Sequence, residues 1–290
     1  MTEVKEQILS GERALFKAHD LTVIDSVFAD GESPLKEASN IKLLRSRFQW
    51  KYPLWYTKDI QATNCQWSEN ARAGVWYTEN VTVENAIIDA PKNFRRCNNL
   101  VIKNASIANA EETLWHCSNV TLENVNAHGH YFALDCNNLK INNLVLHGNY
   151  SFDGVKNAEI HNATMLSKDA FWNSENITVY DSTITGEYLG WNSKNLTLIN
   201  CTIESLQGMC YIENLTMINC RLINTVLAFE YSDVNAEITG NIASVFNPKS
   251  GTIKADRIGK LILEKDKIDP SKTVIKCSDI SEKLDKPDFA

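Results

Sequence analysis

The chain has 290 residues, 43% apolar and 22% charged, the balance of a globular protein with a sizeable core. A net charge of −7 and a pI near 5.5 argue against an electrostatic surface for nucleic acid or an anionic membrane. No apolar run approaches the roughly 18 residues of a membrane span, and MTEVKEQILSGERALFKAHD holds no signal-peptide core, so a cytoplasmic location is expected.

Residues 1–14 are polar and read as a cap over a first coil. From residue 15 onward a short interval recurs. Asp20, Asn40, Asp59, Asn80, Asn99, Asn119, Asn138, Asn157, Asn176, Asn195, Asn214 and Asp233 follow one another at steps of 19 to 21 residues. Each of these anchors is followed by apolar residues at its first and third positions, such as Leu100 and Ile102 or Leu196 and Leu198. Thr often stands between them, which is strand alternation. A second amide or acid stands at the fifth position, as in Asn104, Asn124, Asn143 and Asp181, and small or apolar residues return at the sixth and eighth. A third short strand is expected ahead of the next anchor.

Three short strands per period describe one coil of a solenoid, with Asn at the turns because it tolerates left-handed backbone. The reading is all-β: a single-domain right-handed parallel β-helix of about 12 coils of about 19 residues. Coils are expected over 15–264, with the charged segment 265–290 as a C-terminal cap. A leucine-rich repeat is the rival, but its helical or 3₁₀ side has no room in a 19-residue period.

Cys97, Cys117 and Cys136 share the column two before the anchor, and Cys65, Cys201 and Cys220 the column six after it. Val, Ser, Thr and Ala replace Cys there, so these positions want a small core residue. The pattern points to reduced thiols, and no metal and no cofactor are expected.

Function is sought where a column breaks its own rule. Four residues before the anchors stand Trp55, Trp76, Arg95, Trp115, Leu134, Asp153, Trp172, Trp191, Cys210 and Phe229. Three before them stand Tyr56, Tyr77, Arg96, His116, Asp135, Gly154, Asn173, Asn192, Tyr211 and Glu230. Seven before them stand Tyr52, Lys92, Glu112, Tyr131, Tyr150, Asp169 and Tyr188. Arg95, Arg96, His116, Asp135 and Asp153 are the candidate acid/base set, with Asp135 and Asp153 as a carboxylate pair. Lys92, Glu112, Trp115, Tyr131, Tyr150, Asp169, Trp172 and Trp191 are the candidate binding residues, since aromatic faces cover the apolar face of a sugar ring. Strict alternation cannot turn both neighbouring columns outward, so the Trp column reads equally as an interior stack. The Arg–His–Asp column reads equally as a solvated ion network.

The segments GERALFKAHDLTVIDSVFADGESPLKEA, KNFRRCNNL, ETLWHC, NYSFDG and SKDAFWNSEN resemble an uncharacterised bacterial family. That family is a domain of unknown function within the pectate-lyase-like β-helix superfamily. The resemblance covers residues 11 to about 275 and implies the β-helix fold. The superfamily includes polysaccharide lyases and hydrolases, but no motif here matches their catalytic residues, so none is carried over.

Two functions are therefore expected. One is a carbohydrate-active lyase or hydrolase working on an oligosaccharide or sugar-derived ligand. The other is a non-catalytic ligand-binding or scaffold protein that forms a homo-oligomer through a side of the solenoid. Nucleic acid and membrane are not expected partners.

Overall fold

The alternation after each anchor folds as strand. In the computed structural model, which describes residues 2–287, His19–Ile24, Ser39–Leu44 and Lys58–Thr63 run parallel, with Leu21 beside Ile41 and Ile41 beside Ile60. The same register recurs later, where Ile177 lies beside Leu196 and Leu196 beside Leu215. Among the described residues there is no α-helix, and the single helical element is a 3₁₀ turn at Pro270–Lys272. No helix among the described residues is long and apolar enough to cross a membrane.

The chain divides into two compact units, residues 1–147 and 148–290, each a parallel β-solenoid. Among the described residues the first contains eight coils and the second seven, fifteen turns where the anchors alone led one to expect about 12. The extra coils lie at the ends. Thr2–Lys5, expected as cap, pairs parallel with His19–Ile24, and Thr273–Lys276, in the expected tail, pairs with Ser250–Lys254. Coil membership is set by backbone pairing, which a polar stretch such as TEVK satisfies without an anchor asparagine.

Two sides of each coil are sheet. Over 79–147 they merge into strands of ten or eleven residues, bent at the left-handed Asn85, Asn104, Asn124 and Asn143. Amides stack along both asparagine columns. The side chain of Asn195 donates to Asn176 and accepts from Asn214, both at 2.8 Å.

The third side departs from expectation. Apart from isolated bridges such as Trp76 to Arg95 to Trp115, it is a turn and not a strand. Residues seven, five and three before the anchor adopt positive φ, as in Glu112 (50°), Leu114 (61°) and His116 (54°), or Asp169 (57°), Phe171 (61°) and Asn173 (52°). Left-handed backbone costs an ordinary residue about 1–2 kcal/mol. Here it recurs in 58 non-glycine residues among those described, so it is part of the repeat. What offsets it is hydrogen bonding between coils: Glu112 N–H donates to His130, Leu114 N–H to Asn93 and His116 N–H to Leu134.

That backbone decides which side chains face inward. The column five before the anchor fills the core, with Phe94, Leu114, Phe152 and Phe171 at 0% exposure. Phe152 and Phe171 stack at 5.2 Å. Phe28, Phe48 and Trp67, eight after their anchors, form a second interior stack at 4.7 and 5.3 Å. The cysteine columns are buried as free thiols, and only Cys277 is partly exposed.

Candidate functional site

Because the residue three before the anchor is left-handed, strict alternation fails there, and both neighbouring columns point outward. The tryptophan column is accordingly not an interior stack. Trp55, Trp76, Trp115, Trp172 and Trp191 are half-buried against the outside of the turns. Each of four indoles is tethered to a backbone carbonyl on the following coil: Trp55 to Ala73, Trp76 to Lys92, Trp115 to Tyr131 and Trp172 to Tyr188, at 2.5–2.8 Å. With the N–H satisfied, what remains to be offered is ring face.

In the first unit Trp55 and Trp76 stack at 5.1 Å and 6°. Arg95 takes the next place, its guanidinium carbon 5.0 Å from the Trp76 ring centre and 4.2 Å from that of Trp115. It donates to the carboxylate of Glu112 at 2.5 Å, which Lys92 also reaches at 3.2 Å. Burial pushes the Glu112 carboxyl up, but the hydrogen bonds from Arg95 and Lys92 outweigh it and hold the group below the usual range. Lys92, Arg95, Glu112 and Trp115 thus come together as a closed ion-pair cluster.

The column beside it carries Tyr56 and Tyr77, stacked at 4.8 Å, then Arg96, His116 and Asp135 on successive coils. His116 Nδ1 lies 3.7 Å from Asp135 Oδ2, and both side chains are about half exposed, at 41% and 54%. Arg96 and Tyr131 are exposed as well. These groups form a solvated row along the surface.

In the second unit Asp153 accepts a hydrogen bond from the Asn173 amide at 2.9 Å and so belongs to an amide ladder. Tyr150, Asp169, Trp172 and Trp191 line one open hollow of about 380 Å³, together with Tyr188. Tyr150 meets Trp172 edge-on at 6.1 Å and 87°, Tyr188 meets Trp191 at 5.9 Å and 80°, and the two indoles lie 6.2 Å apart at 37°. The aromatic strip continues from Trp191 to Tyr211 at 4.6 Å and to Tyr231 at 5.4 Å.

Asp169 is the polar group of this hollow. It is 8% exposed, and among the described residues no side chain or backbone group donates to its carboxylate. Lys168, the cation whose charge acts on it, is bound to Glu187 at 2.8 Å. Burial first, and then the charge of Glu187, push the Asp169 carboxyl above its ordinary value, which Lys168 offsets only in part.

Tyr188 was legible as a lining residue, since it stands seven before Asn195 in the column of Tyr150 and Asp169. At the last full turn the columns slip. Tyr231, not Glu230, stacks on Tyr211, and Phe229 is core, because Tyr231 stands one residue nearer its anchor than Tyr211 does. Among the described residues no three His, Cys, Asp or Glu side chains gather as a metal site.

A family model described as "Protein of unknown function (DUF3737)" matches residues 2–276. None of the curated proteins matches. Among solved structures, the chain is similar to PfbA, a surface adhesin of Streptococcus pneumoniae, at 10% identity over 92% of this chain and 85% of that one, with a TM-score of 0.37. It is also similar to the A-module of the mannuronan C-5 epimerase AlgE4 of Azotobacter vinelandii, at 11% identity over 99% of this chain and 87% of that one, with a TM-score of 0.27. At these values the likenesses carry no argument about what the chain does.

Proposed function

The chain belongs to that DUF3737 family of unknown function, and from its own surface we propose that it is a carbohydrate-binding protein. A saccharide lies on the aromatic hollow of the second unit. The observation that carries this reading is Asp169, a buried carboxylate with no protein donor, set among the rings of Tyr150, Trp172, Tyr188 and Trp191. Ring faces cover the C–H face of a pyranose, while a carboxylate accepts hydrogen bonds from its hydroxyls. The hollow lies at the small end of the range for small-molecule sites, and Tyr211 and Tyr231 extend it along the coils for further sugar units.

Binding is favoured over turnover by where the other ionisable groups lie. Arg95 and Glu112 neutralise each other, Asp153 serves an amide ladder, and Glu187 is paired with Lys168. Hydrolysis by a carboxylate pair needs a second free carboxyl facing the first. The test is titration of tryptophan fluorescence with a panel of neutral and charged oligosaccharides. Trp172→Ala and Trp191→Ala are each expected to weaken binding about tenfold or more. Absence of binding across the panel, or unchanged affinity in both variants, overturns the reading.

A further inference from the structure

The hollow carries one negative charge that nothing in its walls answers. Glu187 is matched by Lys168 at 2.8 Å, so the carboxylate of Asp169 is the unmatched group. It is 8% exposed and receives no hydrogen bond from the described residues. Its oxygens are not sealed in the core but open onto the hollow, where they stand as acceptors that no protein donor has taken. The walls point to the kind of group that takes them. Two indoles and two phenols surround the site, and the faces of such rings attract cations, Trp most of all. A neutral hydroxyl would satisfy Asp169 as an acceptor but would gain nothing from the ring quadrupoles. A carboxylated sugar would be repelled.

Resting on the saccharide reading above, we propose that the site selects an amino sugar with a free, protonated amine, its ammonium against Asp169 and its ring on Trp172 or Trp191. An ammonium can donate three hydrogen bonds to an acceptor-only carboxylate. An acetylated amine has lost both the charge and two of those donors, so the site distinguishes the free amine from its acetamide.

Three tetrasaccharides of the same β-1,4-linked backbone isolate the claim, because they differ only at C2: glucosamine, N-acetylglucosamine and glucose. Calorimetric titration at mildly acidic pH, where the amine is charged, is expected to give the glucosamine tetramer at least about tenfold tighter binding than either neutral one. Asp169→Asn, whose side chain tolerates the left-handed backbone at this position, is expected to bring all three within about twofold of one another while the far-ultraviolet spectrum stays unchanged. If the neutral tetramers bind, are weakened by Trp172→Ala, and the amine adds nothing, the saccharide reading stands and the amine inference falls. If the amine preference survives Asp169→Asn, the inference falls as well. If tetramethylammonium binds in an Asp169-dependent way while all three tetramers fail, the site serves a simple alkylammonium ligand, and both the inference and the reading beneath it are overturned.

Discussion

Arg95 reaches the carboxylate of Glu112 at 2.5 Å across one coil, from a slot between Trp76 and Trp115. Arg95 continues the stack from Trp76 to Trp115 in the tryptophan column, while Glu112, in the column seven before the anchor, supplies the opposite charge. Because Glu112 is held below its ordinary pKa, its stabilising effect is complete above the value of the unfolded chain and is lost as pH falls through the folded value. Glu112→Gln should therefore cost about 1–2 kcal/mol at neutral pH, since a charge-assisted bond is replaced by a weaker one. Urea unfolding of both proteins at neutral and strongly acid pH checks this. The difference should shrink in acid, and an equal difference at both would mean that packing rather than charge is responsible.

Asn195 combines a left-handed backbone, φ 53°, with two ladder bonds. Asn195→Ala removes both bonds and puts in a residue that tolerates the left-handed backbone less readily than Asn, an expected loss of about 2–3 kcal/mol. Asn195→Gly removes the bonds but not the backbone's freedom, and should cost about 1 kcal/mol less. Denaturant midpoints rank the two, and the reverse order would show that the turn imposes no conformational demand.

Asp169 behaves in the opposite sense to Glu112. Its folded-state pKa is raised, so the protonated form favours folding. That contribution is full below the unfolded value and disappears as pH rises through the folded one. Above that range the ionised carboxylate is a burden on the empty protein. Asp169→Asn should raise the melting midpoint at neutral pH, because it removes the charge that burial penalises. The gain should vanish in acid. A lower midpoint at neutral pH would reveal that the carboxylate has a protein partner after all.

Seven of the eight cysteines are buried, and burial pushes the Cys65 and Cys210 thiols up, to about 11 and about 12. The thiolate is the reactive form. A chromogenic disulfide reagent should titrate only Cys277 in the native protein and all eight after unfolding. Rapid reaction of two or more native thiols would show that the core columns open.

The two sheet sides were readable because alternation with a fixed 19-residue step leaves one arrangement in which Leu100, Ile102 and their equivalents are all inside. The third side was not. Tyr52, Leu54 and Tyr56 read locally as strand, yet stacking against neighbouring coils places all three in left-handed turns. That conformation settles which way Trp55 faces, so the aromatic column was visible as a column but not as an outer surface. Tyr150, Asp169, Trp172 and Trp191 were singled out for chemistry and line a single hollow, because residues seven before one anchor and four before the same anchor adjoin on this turn. The pairing of Arg95 with Glu112, 17 residues apart, depends on the same offset between coils and has no signature in either residue alone.

The turn that carries Asp169 has a dynamic consequence. Surface turns ordinarily lose their amide hydrogens to solvent quickly, through small local openings. Here the amides of Asp169, Phe171 and Asn173 are given to Glu187, Ser151 and Trp191, in alternating directions along the stack. To free any one of them, two neighbouring coils must part. The face that lines the hollow is therefore protected from exchange much as a sheet is, and its side chains rise from backbone that is already ordered. On the proposed saccharide reading, association would lose little conformational entropy, so that even a shallow hollow would suffice with few contacts.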